Sequence, residues 1–198
     1  MDFLGWSDGL ALLPRDYLGE GEPLVAVVRA AGPYRGEALH LLALGTAATM
    51  ARLHLGGIAG LRLNPGNVMI GKEGRAFFAP GPRSSEFPSA DVRDWADVIV
   101  FAATGRPVRD GERPYLGPVP ELRVVIDECR RPNALSRPAA IDVVRALLGD
   151  PWEDRRATVR ELLLEAERWS GSGGARQRRT GIPDDRGQTM IEIAGSGS

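Results

Sequence analysis

Cysteine and lysine are almost absent from this chain of 198 residues, which carries one of each, Cys129 and Lys72. A lone cysteine excludes an intrachain disulfide framework and suits a reducing, cytoplasmic setting. With arginine as every other strong base, any chemistry that needs a lysine has a single candidate. Aromatic residues make up only 6% of the sequence, and 25 basic residues stand against 26 acidic ones for a net charge of -1. No one-signed field exists to steer a polyanion, so a nucleic-acid partner is not expected. No apolar run reaches the ~18 residues that a membrane span requires. The opening "MDFLGWSDGL" lacks the basic and apolar regions of a secretion signal. Neither a span nor export is therefore expected of the chain as it stands. What is present is a hydrophobic fraction of 43%, enough to build one core of useful size.

The order of elements reads as mainly α. Leu10–Leu13 is a possible short strand within an N-terminal segment, residues 1–22. Pro23–Ala31 reads as a short helix ended by Gly32-Pro33. Glu37–Leu55 carries Leu41, Leu44, Ala48, Ala51 and Leu55 near a period of ~3.6 and stops at Gly56-Gly57. Val68–Ile70 and Ala76–Phe78 flank a glycine-bounded charged turn and predict a small β-hairpin. Ala90–Thr104 is a second long helix, with Trp95 and Phe101 as core residues, stopped by Gly105 and Pro107. Pro120–Arg130, Pro138–Leu148 and Pro151–Trp169 follow, the second with proline in its first turn, where a missing N–H costs nothing. From Ser170 to Ser198 the sequence loses apolar periodicity and reads as a disordered tail. The organisation expected is thus 1–22, a helical body at 23–169, and a tail at 170–198.

Within that order, "LHLGGIAGLRLNPGNVMIG" at 53–71 resembles the catalytic loop of eukaryotic-like serine/threonine protein kinases, whose usual form is Leu-His-x-x-Gly-Ile-x-His-Arg-Asp-Leu-Lys-Pro-x-Asn-Val. "DVRDWADVIVFAATGRP" is similar to the central helix of that family. "VVIDECRRPNALSRPAAIDVVRALLGD" is similar to its last pair of lobe helices, with Arg137-Pro138 where those kinases carry Arg-Pro. The resemblance spans about residues 10–150 and implies a kinase-like C-terminal lobe with a small hairpin and no N-terminal lobe. No glycine-rich loop and no strand lysine precede it, so the roof of a nucleotide site is missing.

The same resemblance places Arg62 where the family has its catalytic aspartate. A guanidinium stays protonated and cannot accept a proton, so the general-base role is unfilled. Asn64 stands at the lysine that contacts the transferred phosphate. Asn67 keeps the family's second metal ligand, a vestigial Mg/ATP position. Ala79-Pro80-Gly81 replaces the metal-binding Asp-Phe-Gly, leaving Gly81 alone of the three. Only nine residues separate Gly81 from Asp91, too few for an activation segment. Glu86 is a candidate remnant of that segment's terminal Ala-Pro-Glu, able to pair with Arg137.

These residues also have plainer roles. Asn67 can hold its own loop by side-chain to backbone bonds. His54 can be a structural hydrogen-bonding histidine, and Asp91 can cap the central helix while accepting N–H groups from the loop around Arg62. Loss of an N-terminal lobe is expected to leave Phe77 or Phe78 of the hairpin in need of cover, supplied by Phe3, Leu4 and Trp6 folding back or, in the alternative, by a partner or a second copy.

The tail "DDRGQTMIEIAG" has Glu192 fifth after Gly187, behind Arg176, Arg178, Arg179 and Arg186. It resembles the processing site of type IV pilin-like precursors, tight-adherence pilus pseudopilins in particular, although "GSGS" follows instead of an apolar helix. A chance match in a tail is the competing reading. Three function classes result. The chain is expected to be a catalytically inactive pseudokinase-like module that binds an unidentified protein and needs no cofactor or metal. The alternatives are an ATP- and Mg-dependent kinase needing a partner lobe, and the cytoplasmic part of a pilus or secretion-associated membrane protein.

Overall fold

The computed structural model describes residues 3–5, 11–14, 21–71, 74–79, 87–107, 109, 112, 114–117, 120–149 and 159–177. Six α-helices dominate it: α1 (Leu24–Ala31), α2 (Gly36–Leu55), α3 (Pro88–Thr104), α4 (Pro120–Cys129), α5 (Ala140–Leu148) and α6 (Val159–Gln177). Two strands, β1 (Phe3–Gly5) and β2 (Ala11–Pro14), pair antiparallel. A three-stranded antiparallel sheet consists of β3 (Glu22–Pro23), β4 (Val68–Ile70) and β5 (Ala76–Phe78). Val68 faces Phe78 and Ile70 faces Ala76 across the expected hairpin, while Glu22 faces Ile70 from the third strand.

The core is centred on α2, which packs against α3, α5, α6 and β5. Its buried residues include Leu39, Leu41, Leu42, Ala43, Leu44, Ala47, Ala48, Met50 and Ala51. They lie all round the axis, so the helix is a central post and has no single apolar stripe. Leu55, counted among the stripe residues, is instead 57% exposed at the last turn, where the post leaves the core. Trp95 of α3 is fully buried and donates its indole N–H to Thr46 Oγ1 at 2.9 Å. Thr46 in turn donates to the Leu42 carbonyl at 2.8 Å, which satisfies every polar atom of this contact between α2 and α3. Phe101 is also buried.

The loop between α1 and α2 is fixed to the end of α3. Tyr34 N–H donates to Ala102 O at 2.8 Å, and the Arg35 guanidinium donates to Ala103 O at 2.7 Å. A cation bonded to the last carbonyls of a helix complements the negative end of its dipole.

Two expectations are corrected. Pro138 does not open α5: Arg137 and Ala139 are extended, and Ala139 O takes the first helical bonds from Asp142 and Val143. Proline disfavours the α conformation in the residue before it, and here Arg137 stays extended. The last helix does not stop at Trp169 but continues to Gln177 through Ser-Gly-Ser-Gly-Gly. Propagation adds one bond per residue to a turn already nucleated, which offsets a poor local propensity. Its start expected at Pro151 lies outside the described residues, as does the tail beyond Gln177. Phe77 and Phe78 of the hairpin are 5% and 6% exposed, so both are covered within the chain itself. Gly21 lies against Phe77 so closely that a Cβ there would stand 2.6 Å from the Phe77 ring and 3.1 Å from Met69 Cβ. The side chains of Phe3, Leu4 and Trp6 lie outside the description.

Candidate functional site

The loop from Gly56 to Asn67 leaves α2 through a bond from Ile58 N–H to Leu53 O at 2.8 Å and enters β4 at Val68. It contains no regular structure and must therefore find partners for its backbone groups elsewhere. Asp91 of α3 supplies them. Its carboxylate, 1% exposed, accepts from Gly60 N–H at 2.9 Å on one oxygen and from Leu61 N–H at 2.7 Å on the other. His54 Nε2, from the last turn of α2, stands 3.0 Å from the first of these oxygens. An ionised carboxylate only accepts, so Nε2 is the protonated nitrogen and donates. Asp91 thus ties α2, α3 and the loop together at one buried point. It lies in the first turn of α3 and does not cap it, since the capping position is Phe87.

Asn67 performs the same service at the other end of the loop. Its Oδ1 accepts from Asn64 N–H at 2.8 Å, and its Nδ2 donates to Arg62 O at 3.0 Å and to Leu61 O at 3.4 Å. Asn64 turns on itself, donating to Arg62 O at 3.0 Å and accepting from Gly66 N–H at 2.9 Å. Both asparagines are committed to backbone, and the Asn67 oxygen that could face a cation already has a donor. Val25 N–H of α1 donates to Pro65 O at 2.9 Å, and Ala79 N–H donates to Asn67 O at 2.8 Å.

Arg62 sits at the apex. Its φ of 49° makes it the one residue other than glycine with positive φ among those described, two positions after Gly60 at 76°. A side chain in that region of φ/ψ space is costly by about 1–2 kcal/mol, so the surrounding bonds hold the backbone there. The Arg62 side chain is exposed. It makes no ion pair among the described residues, and no group it offers can take a proton.

Arg137 acts as a strut between backbone carbonyls. It donates to the carbonyls of Arg131 at 2.9 Å, Pro132 at 3.3 Å and Ser89 at 2.9 Å, joining the turn before α5 to the start of α3. Its suggested partner Glu86 lies outside the described residues. So do Gly81, Gly187 and Glu192.

Sequence reasoning passed over Asp94 and Asp97. With Asp91 they recur every third residue in "DVRDWAD", a spacing that puts carboxylates on neighbouring turns of one helix face. Both border a cavity of about 430 Å³ between α1, the loop and α3. Asp97 forms an ion pair with the Arg130 guanidinium at 3.0 Å. Asp94 has its carboxyl pushed up from 3.8 to about 6, first by burial and then by the charges of Asp91 and Asp97, with Arg93 and Arg137 opposing. Among the described residues, no three metal-ligating side chains converge. No helix there is long and apolar enough to cross a membrane.

No protein-family model matches the chain, and no curated protein matches it in sequence.

Proposed function

We propose that this chain is a catalytically inactive, protein-kinase-like lobe that works by binding another protein. The observation that carries the reading is Arg62. The loop around it keeps a tightly bonded shape, with Asp91 and Asn67 fixing its backbone, yet the apex residue is a permanent cation where the resemblance calls for a proton acceptor. A general base lost in this way costs about 10²- to 10⁴-fold in rate. The Asn67 amide is engaged by the loop backbone at both its oxygen and its nitrogen, and Ala79 carries no carboxylate. What remains is a rigid scaffold whose loop and helix faces can present a surface.

The compartment this reading favours is the cytoplasm. Cys129, the one cysteine of the chain, has no second thiol in the chain to pair with, which suits a reducing compartment; it is buried, and burial pushes its thiol up to about 12, so it serves as a small apolar core residue.

The test is phosphoryl transfer and nucleotide binding on the whole chain. Incubation with γ-labelled ATP and Mg²⁺ should incorporate no label above a heat-denatured control, and ATP-Mg should not raise the melting temperature. A ligand at about 100 times its Kd stabilises by about 2.7 kcal/mol, a shift that a melting curve resolves easily. Label above the control that disappears in Asn67→Ala would replace this reading with that of a kinase completed by a partner lobe.

A further inference from the structure

The cavity beside the loop is built from three separated parts of the chain. Val25 of α1, Leu63 and Pro65 of the loop, Phe101 in the last turn of α3 and Pro107 just beyond it give it apolar walls. Its volume of about 430 Å³ lies in the range of small-ligand pockets, about 300–1,000 Å³. Asp94 stands in this wall and makes no hydrogen bond or ion pair among the described residues, whereas its neighbour Asp97 is paired with Arg130. The pocket therefore has an apolar interior and one carboxylate available to a guest.

We propose that this cavity is a binding site for an organic cation, an ammonium or guanidinium group on an apolar stem, with the charge on Asp94 and the stem against Leu63 and Phe101. A neutral guest of the same shape leaves the half-buried carboxylate beside Asp91 and Asp97 without compensation. An anion adds to their repulsion. A cation answers both, and its charge-assisted bond is about twice as strong as a neutral one. The carboxyl of Asp94, pushed up to about 6, fits this picture: burial and the two flanking carboxylates outweigh Arg93 and Arg137, and a positive guest would favour the ionised form.

Titration of the full chain with n-hexylammonium and n-hexanol, followed by NMR at the amides of Leu63, Gly66 and Val98, tests the site. The cation should bind about tenfold more tightly than the alcohol and shift these amides in a saturable way. In Asp94→Asn, with its fold checked by circular dichroism, that advantage should vanish. Val25→Trp, which fills the cavity and leaves the charge, should abolish binding of both probes. A capped tripeptide, acetyl-Ala-Arg-Ala-amide, separates two sources of the same chemistry. Tighter binding than n-hexylammonium assigns the cation to a polypeptide side chain, and weaker binding assigns it to a free amine. The proposal is overturned by equal affinity for alcohol and cation, by an advantage that survives Asp94→Asn, by binding that survives Val25→Trp, or by the absence of saturable binding of either cation.

Discussion

Replacing Asp91 with alanine removes one carboxylate and leaves three donors facing the space it occupied: Gly60 N–H, Leu61 N–H and His54 Nε2. Gly60 is buried, so its amide has no water to turn to, and an orphaned buried donor costs about 1–3 kcal/mol. Leu61 and His54 are partly exposed and recover some hydration, at about 1 kcal/mol each. The sum, about 3–5 kcal/mol, agrees with the usual cost of removing one partner from a buried charged contact. Against a total stability of about 5–15 kcal/mol this is a large fraction, so Asp91→Ala should fold only marginally. Asp91→Asn keeps one acceptor but turns an NH₂ toward two donors or toward Leu61, and should lose about half as much. Urea unfolding measures both, with a midpoint drop of about 2 M for the alanine variant if the slope is near 2 kcal/mol/M. Hydrogen exchange at Gly60 and Leu61 should accelerate in step. A loss under about 1 kcal/mol at unchanged slope, with these two amides still protected, would show that the loop is held by other contacts and refute the account.

Gly21→Ala should destabilise by about 1–3 kcal/mol, because its Cβ would meet the buried Phe77 ring at 2.6 Å, and Phe77→Leu in the same chain should recover part of the loss in urea unfolding. Arg62→Gly should stabilise by about 0.5–1 kcal/mol, since glycine adopts the φ of 49° without strain but loses more chain entropy, and a melting curve reads the sign. Asp94 should make stability fall as pH rises from about 4 to about 6: its folded value is raised above the ordinary 3.8, so the folded state holds the proton more tightly and that contribution is lost once the group ionises. With the group half exposed and screened, the effect is on the order of 1 kcal/mol. Asp94→Asn should remove that part of the pH profile when the two chains are unfolded in urea side by side at pH 4.5 and 7.

The hairpin was readable to the residue because its signals are local: glycines at 71 and 74 bound the turn, and Val68, Ile70, Phe77 and Phe78 suit a pleated surface. Its third strand was not, since Glu22–Pro23 has only two residues and becomes a strand through pairing with Met69 and Ile70. The period assigned to α2 was too narrow for a similar reason. A helix surrounded by α3, α5, α6 and β5 buries residues at almost every position, and no single face stands out in the sequence. The start of α5 was misplaced because a proline was read as a helix opener when its effect on Arg137 was the stronger one. The cavity lay beyond sequence reasoning altogether, as its walls come from residues 25, 63 to 66 and 94 to 107. Only the three-residue spacing of Asp91, Asp94 and Asp97 hinted at it.

The pattern of bonds around Arg62 explains how the loop can hold its form independently of the side chain at its apex. Asp91 grips the N–H groups of Gly60 and Leu61, and Asn67 grips the carbonyls of Leu61 and Arg62 and the N–H of Asn64. Every one of these contacts on the loop is to backbone. The side chains at positions 60 to 62 take no part, so the geometry sets no chemical requirement on residue 62 beyond tolerance of a positive φ. Shape is therefore specified by Asp91 and Asn67, and any reactivity would have to be specified separately by whatever occupies the apex. The loop's form thus depends on the first two residues and leaves the side chain at the third unconstrained. On this argument an aspartate at position 62 would alter stability by well under the cost of Asp91→Ala, because it changes an exposed group on a loop already fixed from both ends.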